Sequence, residues 1–222
     1  DLVRSRGLGD VYKRQDYQWY WDLANKVSTL SNEFTNHLST LDGALDVYNS
    51  AGTHSTAGHA WATAYDQSAS DIFELTSLTA IAAGNLATMI HGVGKNHADA
   101  ENLNAPSNPV AIPASPTSTD LAHAIHPTGF SAGGLHDEPS NWSIVEGRAT
   151  KKWADPDTGK ITRAGNAFAA MALSIQNGVS IPKTTPSDPP PDVGPINGAV
   201  DRLFVALQEV LSACGNMKSA CD

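Results

Sequence analysis

Residues 20–48 read YWDLANKVSTLSNEFTNHLSTLDGALDVY, and the large apolar side chains fall at Tyr20, Leu23, Val27, Leu30, Phe34, Leu38, Leu41, Leu45 and Tyr48. Steps of three and four keep them on one side of an α-helix, because about 3.6 residues complete a turn. The stripe stops at residues 49–59, NSAGTHSTAGH, where small, polar and glycine residues mark a turn. A second stripe follows through Trp61, Tyr65, Ser68, Ile72, Leu75, Leu78, Ala82, Leu86, Met89, Val93, Asn96, Ala100 and Leu103, ending before Pro106. Neither stripe can be buried alone, so residues 16–104 are expected to form a long antiparallel helical hairpin. Gly84, Gly92 and Gly94 each weaken the second helix by about 1 kcal/mol relative to Ala, and a break near Gly92 is expected.

Beyond the hairpin, residues 105–119 (APSNPVAIPASPTST) carry four prolines and no charge, the composition of an extended linker. Residues 120–222 read as a second helical unit. It opens with a short apolar piece, Leu121 to Ile125, and a GFSAGG turn; a short helix follows from Glu138-Pro139-Ser140 to about Thr150. A helix over Ile161 to Val179 carries Ala164, Phe168, Met171 and Ile175 on one face. Another linker, IPKTTPSDPPPDVGP, has six prolines in fifteen residues and leads to a last helix from about Ile196. Its stripe is Val200, Leu203, Leu207, Val210, Leu211 and Cys214. No segment alternates with a period of two, so the expected fold is all-α, two helical layouts joined by proline-rich linkers. The last helix reaches Asp222 without a Gly, Asn or Pro stop signal, and the expectation is that it continues.

Composition sets the function classes. Of 222 residues, 41% are hydrophobic and 17% charged, enough apolar material for a core. The net charge of -9 argues against nucleic acid or an anionic membrane as a partner. No stretch approaches the roughly 20 uninterrupted apolar residues of a membrane helix, so the chain reads as soluble. Cys214 and Cys221 are seven residues apart, about 10 Å along a continuous helix and beyond disulfide reach. Residues 1–15 (DLVRSRGLGDVYKRQ) lack a signal-peptide pattern, and Ser5 to Gln15 is what a common sequencing-library adapter encodes in one frame. They are read as adapter-derived, the alternative being a flexible native tail. Without Arg4, Arg6, Lys13, Arg14, Asp1 and Asp10 the balance is 10 basic against 21 acidic residues, or -11.

The histidines and carboxylates are the residues that could carry chemistry. His54 with His59, and His123 with His126, lack an HExxH context or a carboxylate partner, so no metal site is expected. Asn96, His97, Asp99 and Glu101 read as an exposed helical face or a helix-end hydrogen bond. Asp155-Pro156-Asp157-Thr158-Gly159 opens like a calcium loop, but Gly159 stands at the third ligand position and Asn166 where a bidentate Glu is needed; a tight turn before a helix fits better. CxxC, GxxxxGK[ST] and paired-acid patterns are absent from the sequence, the GFSAG of residues 129–133, which fits GxSxG, is read as part of the turn, and the expectation is a non-enzymatic protein without a cofactor.

Aromatic residues are the remaining candidates. Trp61 and Tyr65 at the start of the second helix could anchor the mouth of the hairpin or dock a partner, since such residues dominate interface hot spots. Ile72 on the same stripe, and Trp142 and Trp153 in the second unit, complete the packing or partner candidates. Trp19, Tyr20 and Trp21 are adjacent and cannot all face one core, so at least one is expected to be exposed or to meet a partner.

A helix, a turn with Gly and Trp and a second heptad-like helix resemble the WXG100 superfamily, small hairpins exported by type VII secretion systems. Ala62-Thr63 stands after Trp61 where that family has x-Gly. The Tyr-x-x-x-Asp/Glu pattern is matched only by Tyr12 to Asp16, largely within the adapter-like stretch. A closer resemblance runs from residue 23 onward, through AGTHSTAGHAWATAYDQSA, GKNHADAEN, SAGGLHDEPSNW with KKWADPDTGKITRAGNAFAAMA, and VLSACGNMKSACD. These segments are similar to the WXG100-like N-terminal domain of actinobacterial polymorphic toxins, of the outer-membrane channel protein and tuberculosis necrotizing toxin type. Phe168 stands where that family usually has Trp, and Trp153-Ala154-Asp155-Pro156-Asp157 alters the order of its loop. The resemblance implies a secreted or cell-surface modular protein using a Sec-independent route. Its N-terminal region would serve export by pairing with a helical WXG100-like partner or docking on type VII machinery, and a toxin domain would lie outside this fragment. A channel-forming or membrane-active role, or a stand-alone helical adaptor, are the alternatives.

Overall fold

The computed structural model describes residues 17–46, 56–104, 106–117, 156–178 and 189–222. The described residues form four α-helices and no strand: α1 (Tyr17–Asp46), α2 (Thr56–Asn104), α3 (Thr158–Gly178) and α4 (Val193–Ala220). The all-α expectation holds. The 49–59 turn lies largely outside the described residues, as do Trp142, Trp153, the adapter-like stretch, the Leu121–Ile125 piece and the helix expected before Thr150.

The α1 stripe is the spine of the core. Tyr20, Leu23, Val27, Leu30, Phe34, Leu38, Leu41 and Leu45 are all buried. α1 and α2 run antiparallel: Ser31 Oγ donates to the Ala80 carbonyl (2.7 Å), and Tyr20 packs on Gly94. Helix α3 buries Ala164, Phe168, Met171 and Ile175, and α4 buries Val200, Leu203, Leu207, Val210 and Cys214, as their spacing predicts. All four helices contribute to one hydrophobic cluster. The two sequence layouts therefore share a core, in which α4 runs antiparallel to α2.

On α2 the buried face differs from the predicted stripe. Tyr65 and Ile72 are buried, but Leu78, Met89 and Leu103 are 56%, 68% and 85% exposed. The face against the bundle is instead Ala62, Tyr65, Ala69, Ile72, Thr76, Ala80, Ala83, Ala87, Ile90, Gly94 and Ala98, again in steps of three and four, with Phe73 buried beside them. The small residues among them let the α2 backbone approach α1, whose Leu, Phe and Val residues fill the space between. Polar members of this face are satisfied locally: Thr76 Oγ1 donates to the Ile72 carbonyl at 2.7 Å.

The expected break near Gly92 does not occur; α2 is one helix of 49 residues. At Gly94 a Cβ would stand 2.8 Å from Tyr20 Cβ, so the glycine that weakens the helix admits a close approach of α1. The packing it permits offsets the propensity cost. Helix α4 begins at Val193, a few residues before the predicted Ile196, because Pro195 is tolerated in a first turn that needs no N–H.

Residues 106–117 form no helix, consistent with their prolines, yet they lie back along the hairpin. Asn102 Nδ2 donates to the Val110 carbonyl (3.1 Å), and Val110 N–H donates to Asn102 Oδ1 (2.5 Å). His91 Nε2 donates to the Pro113 carbonyl (3.0 Å), and Ser28 Oγ to the Thr117 carbonyl (3.1 Å). Val110 and Ile112 cover a second small cluster of Tyr17, Trp21 and Ala98.

Candidate interaction surface

The aromatic triplet at the start of α1 is divided between two environments. Tyr20 is fully buried in the main core, Trp21 is buried in the second cluster beside Val110 and Ile112, and Trp19 is half-buried edge-on to Tyr20. The three do not face one core: the chain's own Val110 and Ile112 cover Trp21, while Trp19 stays half-buried.

Tyr20 also belongs to a polar cluster that joins three elements. Its hydroxyl donates to Asp192 Oδ1 (2.8 Å), and His97 Nε2 donates to Asp192 Oδ2 (2.9 Å). The Tyr20 and His97 rings lie 5.6 Å apart. Asp192 is the N-cap of α4 but makes no side-chain cap bond; the third helical residue is Pro195, which has no N–H to offer, so the carboxylate is free to reach α1 and α2. Burial alone would raise the Asp192 pKa, but the hydrogen bonds from His97 and Tyr20 prevail and hold it below the ordinary carboxylate value. Burial, with the Asp192 charge beside it, pushes the Tyr20 hydroxyl well above its ordinary pKa. The sequence offers His97 either an exposed face or a helix-end hydrogen bond; its partner lies 95 residues away, a distance that no local spacing rule covers.

At the other end, Trp61 stacks on Tyr65 (centroids 5.4 Å apart), and Tyr65 meets Phe168 edge-on (6.3 Å). Trp61 Nε1 donates to the Ala220 carbonyl at 3.3 Å, so α2, α3 and α4 converge here. Trp61, Tyr65 and Ile72 all pack against or within the core. Asp157 Oδ1 accepts from Lys160 N–H (2.9 Å), the N-cap of α3, as a turn before a helix requires. Among the described residues, no group of three or more His, Cys, Asp or Glu is placed to hold a metal ion.

The surface that the bundle leaves open runs along α2. Leu78, Ile81 and Met89 are exposed, together with Ala82 and Asn85, at positions that share one side of the helix. At its N-terminal end this side leads into a cleft of about 380 Å³ between α2 and α4, lined by Ser68, Asp71, Leu75, Ala213, Asn216 and Met217 among others. Large apolar residues in register on an exposed helical face mark an interaction surface more often than scattered ones do. Leu78 and Met89 of the predicted stripe, with Ile81, are thus the candidate contact residues, whereas sequence reasoning placed the packing or partner candidates at Trp61, Tyr65, Ile72, Trp142 and Trp153. By length and composition α2 could also cross a membrane, with a mean hydropathy of 1.2 over its most apolar stretch, half of which is buried in the bundle.

Compared with known proteins, the chain matches no family model, no curated protein and no solved structure.

Proposed function

We propose that this chain is a non-catalytic trafficking module, the N-terminal export region of a type VII-secreted polymorphic toxin, which uses the open face of α2 to engage a helical WXG100-like partner or the secretion machinery. The observation that carries this reading is the row of Leu78, Ile81 and Met89, large apolar side chains left exposed on the side of α2 that faces away from the bundle core. The order of sequence segments from residue 23 onward supplies the type VII context. In this reading the protein leaves the cell by a Sec-independent route, and the toxic activity belongs to another part of the gene product.

The test is export from an actinobacterial host with a type VII system, comparing the parent chain with Leu78→Asp/Met89→Asp. The expected result is loss of the variant from the culture medium, with unchanged circular dichroism and melting temperature. Normal export of a folded variant overturns the reading. Membrane activity is the second reading, favoured by the length and apolar character of α2. Leakage of dye from liposomes at matched concentrations of parent chain and variant decides for it; inert protein decides against it.

A further inference from the structure

The open face of α2 differs in charge from an ordinary amphipathic surface, and this narrows what can bind it. From Thr56 to Gly94 the helix contains no Lys or Arg. Asp71 lies in the cleft, and Glu74 is exposed one helical turn before Leu78. Across the cleft, Glu209 is exposed on α4 four residues before Ala213, continuing the same side of that helix. The nearby cation, Lys218, is held by Asp222. The Asp71 carboxylate accepts a hydrogen bond from Gln67 (2.7 Å).

We infer that the α2–α4 cleft and the apolar row beyond it accept one amphipathic helix of a partner protein whose apolar stripe is flanked by Lys or Arg. The inference rests on the proposed interaction role and adds the chemistry of the partner. From Ser68 to Met89 the face spans about 30 Å, which matches a helix of about 20 residues. Its apolar residues would cover Leu78 and Met89, and its cations would meet Asp71, Glu74 and Glu209. A second copy of this chain fits poorly, because a symmetric contact would bring acidic rim against acidic rim in a protein of net charge -9.

Two fluorescein-labelled peptides of about 22 residues test this, both with leucines at helical spacing, one flanked by lysines and its twin by glutamates. Titrated with the full chain, the lysine peptide is expected to bind at least about tenfold more tightly than its twin, and to weaken as salt is raised. Leu78→Ser/Met89→Ser should reduce its affinity at least about tenfold with an unchanged melting temperature. Asp71→Asn/Glu74→Gln should reduce it several-fold, while Asp22→Asn, an exposed change on α1, should leave it unchanged. Equal affinity for the two peptides, no binding of either, equal weakening by Asp22→Asn, or dimerisation through Leu78 and Met89 in sedimentation each overturns the inference. Failure here with export still lost in Leu78→Asp/Met89→Asp would leave the export reading standing and remove only the basic partner.

Discussion

Gly165 of α3 lies so close to Cys221, just past the end of α4, that a Cβ built on the glycine would stand 2.6 Å from the cysteine Cβ. No side chain fits between them, and the two helices owe their close approach at this end to a residue with little helix propensity. Gly165→Ala is expected to destabilise the protein by about 1–3 kcal/mol through overpacking, although Ala is the better helix former. Gly215→Ala is the control: nothing lies within 4 Å of its Cβ position inside α4, and there the substitution should stabilise by about 0.5–1 kcal/mol. Urea unfolding of both variants measures the opposite signs, and equal effects would contradict the packing.

Asp192 ties the start of α4 to Tyr20 and His97, and its carboxyl titrates below the ordinary value in the folded chain. A depressed folded pKa means that the stabilisation is complete above the unfolded value, about 3.9, and is lost as pH falls through the folded value. Asp192→Asn should therefore cost about 1 kcal/mol near neutral pH, a figure kept low because the pair is partly solvated, and progressively less in acid. Chemical denaturation at a series of pH values follows this; a cost that stays constant into strong acid would show that the carboxylate charge contributes nothing.

The thiols report the core at the far end of α4. Burial pushes Cys214 up to about 12; for Cys221 burial and Asp222 push up while Lys218 pulls down, leaving it at about 11. At pH 8 both should resist a thiol reagent in the folded state and react fully in denaturant, since the thiolate is the reactive form. As pH rises Cys221 should react first. Rapid labelling of both in native buffer would mean that this end of the bundle opens readily.

How far the fold was legible depended on side-chain size. α1, α3 and α4 place Leu, Phe, Ile and Val on their buried faces, and a rule that follows large apolar residues finds them. On α2 the same rule led to Leu78, Met89 and Leu103 and passed over the buried Phe73 and Ile90, because large apolar residues stand on both sides of this helix and much of the face that packs on the bundle is Ala, Thr and Gly, residues whose burial comes from a close helix approach rather than from their own apolar area. The Asp157 turn was local and was readable. The Tyr20–Asp192 bond joins residues 172 apart, and nothing in the sequence around either one indicates the other. Residues 106–117 form no helix, and their proline pattern holds no sign that they would cover Trp21.

The reading of α2 leads to the sharpest contrast among substitutions. Ile72 is 3% exposed, so Ile72→Asp would bury an unpaired carboxylate and should cost several kcal/mol, on the order of the stability of a small domain. Loss of partner binding or export in that variant would report unfolding alone. Leu78 and Met89 are mostly in solvent, and Leu78→Ser/Met89→Ser should change stability by only about 0.5 kcal/mol per site. Thermal melts followed by circular dichroism compare the two, with a broad or absent transition expected for Ile72→Asp and a parent-like one for the double variant. If the double variant melts like Ile72→Asp, the row is buried in solution, whether by the chain itself or by self-association, and the open face proposed for a partner does not exist.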